Sequence, residues 1–422
     1  MPTIACHTLG CKVNQYDTEA MLESFEAAGW TSVPLEADAD LYLINTCTVT
    51  HTGDRKSLKL IRRIRREHPE SLIIAAGCLT QREPGNVLDA GANLAIGIQN
   101  RAQVVQLAAR AKEEGRLDAV KPLKGASFES LFVSRHEGKT RATMKIQEGC
   151  DRYCAYCIIP SVRGPVRSMP LEEVRKEAKR LADSGYREIV VTGIHLSSYG
   201  RGTEYSLIDA IEAVHDTPGV MRVRLGSLEP TIVTEEFAER LGKMNGLCRQ
   251  FHLSLQSGSE GVLRRMNRRY TPDEYYESVC ILRRSMPGCA VTTDVIAGFA
   301  GETEEEFRET EAFLEKVAFA RIHVFPYSRR KGTKADLMPG QVPEELKRER
   351  TAKLIELGNR MEAQYVKDLV GTEQQVLFEV PEGDGRASGY TGTFVRVVAG
   401  AAPGEIRCVK ITGCDGTTAL GE

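Results

Sequence analysis

No stretch of this sequence approaches the ~20 consecutive apolar residues that span a bilayer. Met1-Pro2-Thr3-Ile4-Ala5-Cys6 is not a charged segment leading into a long apolar one, so no signal peptide is expected either. An excess of charge of one sign is also lacking. The 56 Lys+Arg stand against 58 Asp+Glu, a formal net charge of −2, which excludes a polycation and leaves room only for a local basic face. Low-complexity segments and solenoid repeats are absent. With 41% apolar and 27% charged residues, the 422-residue chain has an ordinary globular composition and length for roughly two to four domains. What stands out is 12 cysteines. The chain is expected to be cytoplasmic, where thiols stay reduced, so a disulfide framework is not the explanation.

Periodicity divides the chain into three parts. From Thr3 to about Gly97, the apolar strands Thr3–Leu9, Asp40–Asn45 and Leu72–Ala76 alternate with helices such as Asp17–Ala28 and Arg55–His68, which predicts a parallel α/β sheet. A charged helical link, Asn100–Gly115, closes this part, taken as a domain over residues 1–115. A second part, 136–368, repeats a strand–helix unit with strands at Ala142–Gln147, Glu188–Gly193, Arg222–Ser227, Phe251–Gln256, Ala290–Ala297 and Arg321–Tyr327. Six units rather than eight predict a partial barrel. A polar helix from Pro343 to about Leu369 leads into a β-rich tail, 369–422, with strands at Gln374–Val380, Ala387–Val398 and Ile406–Thr412 that suit a small antiparallel barrel.

The cysteines that call for chemistry fall into two trios. Cys150-Asp-Arg-Tyr-Cys154-Ala-Tyr-Cys157 follows the first barrel strand directly, and three thiolates in eight residues can wrap one soft metal centre. A structural zinc wants four ligands, and no fourth Cys or His lies nearby. A cubane iron–sulfur cluster held by three cysteines leaves one iron open to a substrate or cofactor. The alternative is a zinc knuckle with a distant fourth ligand. The other trio is dispersed as Gly10-Cys11, Thr46-Cys47 and Gly77-Cys78, at intervals of 36 and 31 residues, each about one strand–helix unit. Each cysteine lies just past a strand end, and in an open α/β sheet those ends share the edge where ligands bind. Three buried structural thiols are the plainer alternative. Cys6, Cys248, Cys280, Cys289, Cys408 and Cys414 read as ordinary thiols.

The CxxxCxYC spacing at the end of a first barrel strand resembles the radical S-adenosylmethionine (SAM) superfamily. There the open iron chelates the methionine part of SAM and passes an electron to it, which yields a 5′-deoxyadenosyl radical. Three dispersed cysteines, then this motif, then a small β tail resemble the methylthiotransferase family over nearly the whole chain. That resemblance implies an N-terminal methylthiotransferase domain, a radical SAM barrel and a C-terminal TRAM domain. It also implies two [4Fe–4S] clusters, on Cys11, Cys47 and Cys78 and on Cys150, Cys154 and Cys157, the first involved in supplying sulfur. Leu9–Gln15, Thr192–Gly200, Arg222–Pro230 and His323–Ser328 look most like the threonylcarbamoyladenosine tRNA methylthiotransferases. The implied substrate is tRNA and the implied reductant a protein such as flavodoxin or ferredoxin; a monomer is expected. The nearest rivals are methylthiolation of isopentenyladenosine or of a ribosomal protein. A zinc-stabilised RNA-binding protein without catalysis is the rival from another class. One departure is Ala300, where the family usually has Pro, which implies a looser loop around Gly298.

By the same resemblance, Tyr156 lies beside the SAM adenine and Thr192-Gly193 approaches the methionine amine. Ser227, Glu229, Gln256, Asp294 and Gly298 follow later strands toward the same site. Ser, Thr, Asp and Gly also cap helices and pack loops, which is the alternative at each position. Arg55, Lys59, Arg62 and Arg66 share one face of a predicted helix, either a solvated surface or a place for RNA phosphates. Arg264-Arg265-Met266-Asn267-Arg268-Arg269 is a second basic cluster. The tail carries 4 Lys+Arg against 7 Asp+Glu from Leu369 to Glu422, an acidic balance at odds with RNA binding. Tyr390 and Phe394 there suit either core packing or stacking on bases.

Overall fold

The computed structural model describes residues 1–134 and 138–422. The domain boundary expected at residue 136 lies outside the described residues. The first layer is a parallel sheet of β1 (Thr3–Thr8), β2 (Thr31–Val33), β3 (Leu41–Thr46), β4 (Leu72–Gly77), β5 (Leu94–Ile96) and β6 (Leu117–Asp118), in the order β2-β1-β3-β4-β5-β6. β3 is buried along its whole length, as a central strand covered on both faces must be. Its alternate residues feed two cores. Tyr42 and Ile44 meet Ile61 and Ile64 of α2 (His51–Glu67), while Leu41 and Leu43 meet Met21 and Phe25 of α1 (Lys12–Ala27). Strands β2, β5 and β6 were not expected; at three, three and two residues they are too short to leave a period.

The middle of the chain forms β7 (Arg141–Glu148), the short antiparallel β8 (Arg167–Ser168), β9 (Glu188–Gly193), β10 (Arg222–Leu225), β11 (Gln250–His252), β12 (Ala290–Ala297) and β13 (Arg321–Pro326). Two sheets, β10-β9-β7-β8 and β11-β12-β13, are joined by parallel bridges Val223–Leu247 and Leu228–Leu253. The six parallel strands therefore curve as β7-β9-β10-β11-β12-β13. Among the described residues β7 and β13 do not pair, so the barrel stays open on one side, where α1 packs against β7.

The tail closes into a five-stranded barrel, β14 (Glu373–Gly383), β15 (Arg386–Thr391), β16 (Arg396–Gly400), β17 (Ile406–Asp415) and β18 (Thr418–Gly421). The expected strand Ala387–Val398 is two strands, broken by a turn at Gly392 and Thr393. The pairing of β16 with β18 is parallel, the others antiparallel. No helix among the described residues is long and apolar enough to cross a membrane.

Candidate functional site

Strands β1, β3 and β4 are neighbours in one parallel register, with Thr8 opposite Asn45 and Thr46 opposite Gly77. Parallel strands put their C-terminal ends on one edge, so Cys11, Cys47 and Cys78 arrive there together. Gly77 takes φ +93°, and a Cβ there would stand 2.2 Å from Asn45 Oδ1, so both the conformation and the space call for glycine. The turn this permits ends β4 and puts Cys78 at the first position of α3 (Cys78–Arg82). A Cβ on Gly10 would come within 3.1 Å of the Cys47 sulfur, so the Cys11 loop lies directly on Cys47. Cys11 is exposed, Cys47 and Cys78 buried. Burial pushes the Cys78 thiol up to about 11; Arg163 opposes this, while Cys11 and Cys47 add to it.

The other trio sits at the mouth of the open barrel. A cavity of about 160 Å³ is lined by Cys150, Cys154, Cys157, Tyr156, Ser227, Glu229 and Gln256, together with Arg152, His195 and Arg268. Gly149 (φ +75°) starts the loop; a Cβ there would meet the Pro165 carbonyl oxygen at 1.9 Å. Burial pushes Cys157 up to about 12 and raises Cys150 as well. The ring of Tyr156 stands edge-on to Phe299, centroids 6.3 Å apart, which fixes its plane. Burial alone would raise Glu229, but His195, Arg268 and Arg152 outweigh it and hold the carboxylate ionised. Arg152 pairs with Glu229 at 2.5 Å and His195 Nε2 lies 3.1 Å from the same oxygen. Gln256 holds φ +73°, a strained conformation for a residue with a side chain, of the kind concentrated at binding sites.

The expected site residues divide. Tyr156, Ser227, Glu229 and Gln256 line the cavity. Thr192 and Gly193 end β9 behind it, Thr192 buried and Gly193 pressed on Gln147, where a Cβ would stand 2.7 Å from Gln147 Cβ. Asp294 and Gly298 do not line it. Asp294 is drawn into the barrel lumen by His252 at 3.2 Å, and the Gly298 amide donates to Glu302 at 2.8 Å beneath Lys347. The loop with Ala300 is not loose: Arg350 binds Glu302 at 2.8 Å and Arg265 donates to the Ala300 carbonyl at 3.3 Å. Arg152, His195 and Arg268 escaped sequence reasoning. Arg152 stands inside the cysteine motif and His195 directly after Gly193-Ile194. Arg268 was counted with a basic cluster that the fold takes apart, since Arg264 is exposed, Arg265 pairs with Glu306 at 2.6 Å, and Arg268 is almost wholly buried.

The donor chemistry suits iron–sulfur clusters at both trios. Buried guanidiniums aim N–H groups at two sulfurs, Arg268 Nη1 at Cys154 and Arg163 Nε at Cys78, each at 3.2 Å. A cation placed this way matches a thiolate, the form that ligates iron.

Residues 144–314 match the Radical SAM superfamily model and residues 3–97 the model of uncharacterized protein family UPF0004. Threonylcarbamoyladenosine tRNA methylthiotransferase MtaB of Bacillus subtilis (strain 168) is 40% identical over 94% of this chain and 90% of its own. The protein of that name from Thermotoga maritima is 36% identical over 97% of this chain and 94% of its own. A tRNA-2-methylthio-N(6)-dimethylallyladenosine synthase of Finegoldia magna is 33% identical over 90% and 84%. In fold, the chain resembles the radical S-adenosylmethionine methyltransferase TsrM of Kitasatospora setae, solved with cobalamin and a [4Fe–4S] cluster bound. The TM-score is 0.59 at 14% identity, covering 92% of this chain and 77% of that one.

Proposed function

Because the chain belongs to the radical SAM methylthiotransferase family, we propose that it adds a methylthio group to C2 of N6-threonylcarbamoyladenosine beside a tRNA anticodon. The observation that carries this reading is the pairing of two cysteine trios in one chain, one at a sheet edge and one at the barrel mouth, with buried cations facing a sulfur of each. Cys150, Cys154 and Cys157 would hold one [4Fe–4S] cluster, and Cys11, Cys47 and Cys78 the other. Bound there, the clusters and S-adenosyl-L-methionine supply the electron, the radical, the sulfur and the methyl group that an unactivated aromatic carbon requires.

The protein's own task is binding, orientation and exclusion of water. Tyr156, wedged against Phe299, offers a fixed aromatic wall for the SAM adenine. Glu229 stays ionised between Arg152, Arg268 and His195, an acceptor for the ammonium group of the SAM methionine. Ser227 and Gln256 offer polar atoms on the same wall, and Gly193, next to the buried Thr192, shapes it from behind by allowing close approach to Gln147. Asp294 and Gly298 support neighbouring strands and loops. A reducing protein such as flavodoxin or ferredoxin completes the reaction, and the enzyme works as a monomer in the cytoplasm, where its tRNA substrate is.

Mass spectrometry of tRNA nucleosides from cells with and without the gene tests the reading. The expected result is loss of 2-methylthio-N6-threonylcarbamoyladenosine alone. Loss of a methylthiolated dimethylallyladenosine instead would assign the substrate of the Finegoldia relative, and no change in any methylthio nucleoside would exclude tRNA as the substrate.

A further inference from the structure

The N-terminal cysteine trio is not finished by the sheet that carries it. Cys78 packs against Ile158, Ile159 and Val162, in the segment that follows Cys157 without a break. That segment is the short helix Ile159–Arg163, and its last residue turns a fully buried guanidinium into the N-terminal sheet edge. Arg163 donates Nε–H to Cys78 Sγ at 3.2 Å, Nη1–H to Glu148 Oε1 at 2.7 Å and Nη2–H to Asn14 Oδ1. Asn14 stands three residues after Cys11, and Glu148 two residues before Cys150. One planar side chain therefore touches both cysteine sites through their flanking residues. Asp17, Arg101 and Lys145 surround it, with Asp17 at 3.7 Å from Nη1.

An arginine buried this deeply needs an acceptor on every side of its fork and compensating negative charge close by. Glu148 and Asp17 provide it on one side. On the Nε side the partner is a sulfur, which compensates best as a thiolate bound to metal.

We propose that Arg163, contributed by the barrel, is a positioning residue of the N-terminal cluster: its N–H bond to Cys78 fixes that ligand and raises the cluster's reduction potential, while its bond to Glu148 ties the site to the barrel's cysteine loop. The proposal rests on the reading that Cys11, Cys47 and Cys78 hold a cluster. A hydrogen bond and a positive charge at a ligating sulfur both favour the reduced, more negative state.

The test is an EPR-monitored redox titration of reconstituted wild-type, R163Q and R163K holoenzymes. The signal that changes on adding SAM belongs to the Cys150 site and the other to the Cys78 site. In R163Q the SAM-insensitive midpoint shifts to lower potential and the SAM-responsive one stays. Lysine keeps the charge but cannot reach Cys78, Glu148 and Asn14 together, so R163K shows a smaller shift in the same direction. An unmoved SAM-insensitive midpoint in R163Q, or equal shifts of both midpoints, overturns the proposal. If R163Q does not fold, R163K decides alone, a downward shift supporting the proposal and none overturning it. Wild-type protein with iron for one cluster only overturns the underlying reading and the proposal with it, whereas iron for two clusters with unmoved midpoints overturns the proposal alone.

Discussion

Arg141, on the first strand of the open barrel, is gripped by both carboxylate oxygens of Glu379 on the C-terminal barrel, Nε to Oε1 and Nη2 to Oε2 each at 2.9 Å. The same guanidinium lies 5.2 Å from the ring centres of Tyr390 and Phe394, which stack on each other at 4.7 Å. Arg224 covers Phe394 at 4.7 Å and donates to the carbonyls of Thr391 and Gly392. The aromatic pair is thus used to dock the tail on the barrel rather than offered to bases.

From this docking, Glu379→Ala should cost about 1.5–3 kcal/mol, the range for a hydrogen-bonded charge left partly buried without its partner. Denaturant unfolding would measure it. SAM cleavage by the folded variant should be unchanged, because the ion pair lies away from the cysteine cavity. A stability equal to wild type would mean the tail is held by the aromatic pair and the Arg224 hydrogen bonds without the ion pair.

Replacing any one of Cys150, Cys154 or Cys157 by Ala should abolish SAM cleavage, since two thiolates do not hold the cluster. Anaerobic reconstitution with dithionite and assay of 5′-deoxyadenosine would show it. Wild-type rates in any of the three variants would remove the cluster from this site.

The triple variant Cys11/Cys47/Cys78→Ala should keep about half its iron and still cleave SAM, yet leave tRNA unmethylthiolated. Iron assay and nucleoside mass spectrometry on one preparation decide. Full iron with intact product would return these cysteines to packing residues.

On α2, Arg55, Lys59, Arg62 and Arg66 are all exposed, whereas Arg65 is tied down by the carbonyls of Gly91, Pro69 and Ser71. Reversing charge at Arg62 and Arg66 should weaken tRNA binding and flatten the slope of log K against log salt by about 1 for each phosphate no longer neutralised. SAM cleavage without RNA should not change. An unaltered slope would make this face ordinary solvated surface.

His323 in the barrel lumen has its pKa lowered, first by burial, with His252 and Arg321 adding and Asp294 opposing. The unfolded imidazole takes up its proton near pH 6.5, before the folded one does. Stability should therefore fall as pH drops through about 6.5 and level off once the folded pKa is passed. His323→Gln should flatten that part of the profile in urea unfolding between about pH 7.5 and 5.5. An identical profile in the variant would place the proton elsewhere.

Much of the site was legible in one dimension because its chemistry is local. Cys150, Cys154 and Cys157 sit within eight residues, and the strand before them has a clear period. Cys11, Cys47 and Cys78 could be grouped across long gaps because parallel strands of similar length end on the same edge. Short strands such as β5 and β6 left no signal, and the tail's β15 and β16 read as one because the break at Gly392 and Thr393 contains no proline.

What the sequence determined by itself was therefore where the two cysteine trios fall and which elements bring each of them to an edge. Only the tertiary structure decided what stands behind them. Arg163, Arg268 and Glu148 are ordinary charged residues in the chain, two of them beside apparent basic or loop segments, and nothing in their spacing marks them as buried. They are buried because each meets partners from distant elements, Arg163 with Cys78 and Asn14, Arg268 with Cys154 and Ser254. A charge can leave water only where such partners converge, and that convergence is a property of the folded chain, not of the order of its residues.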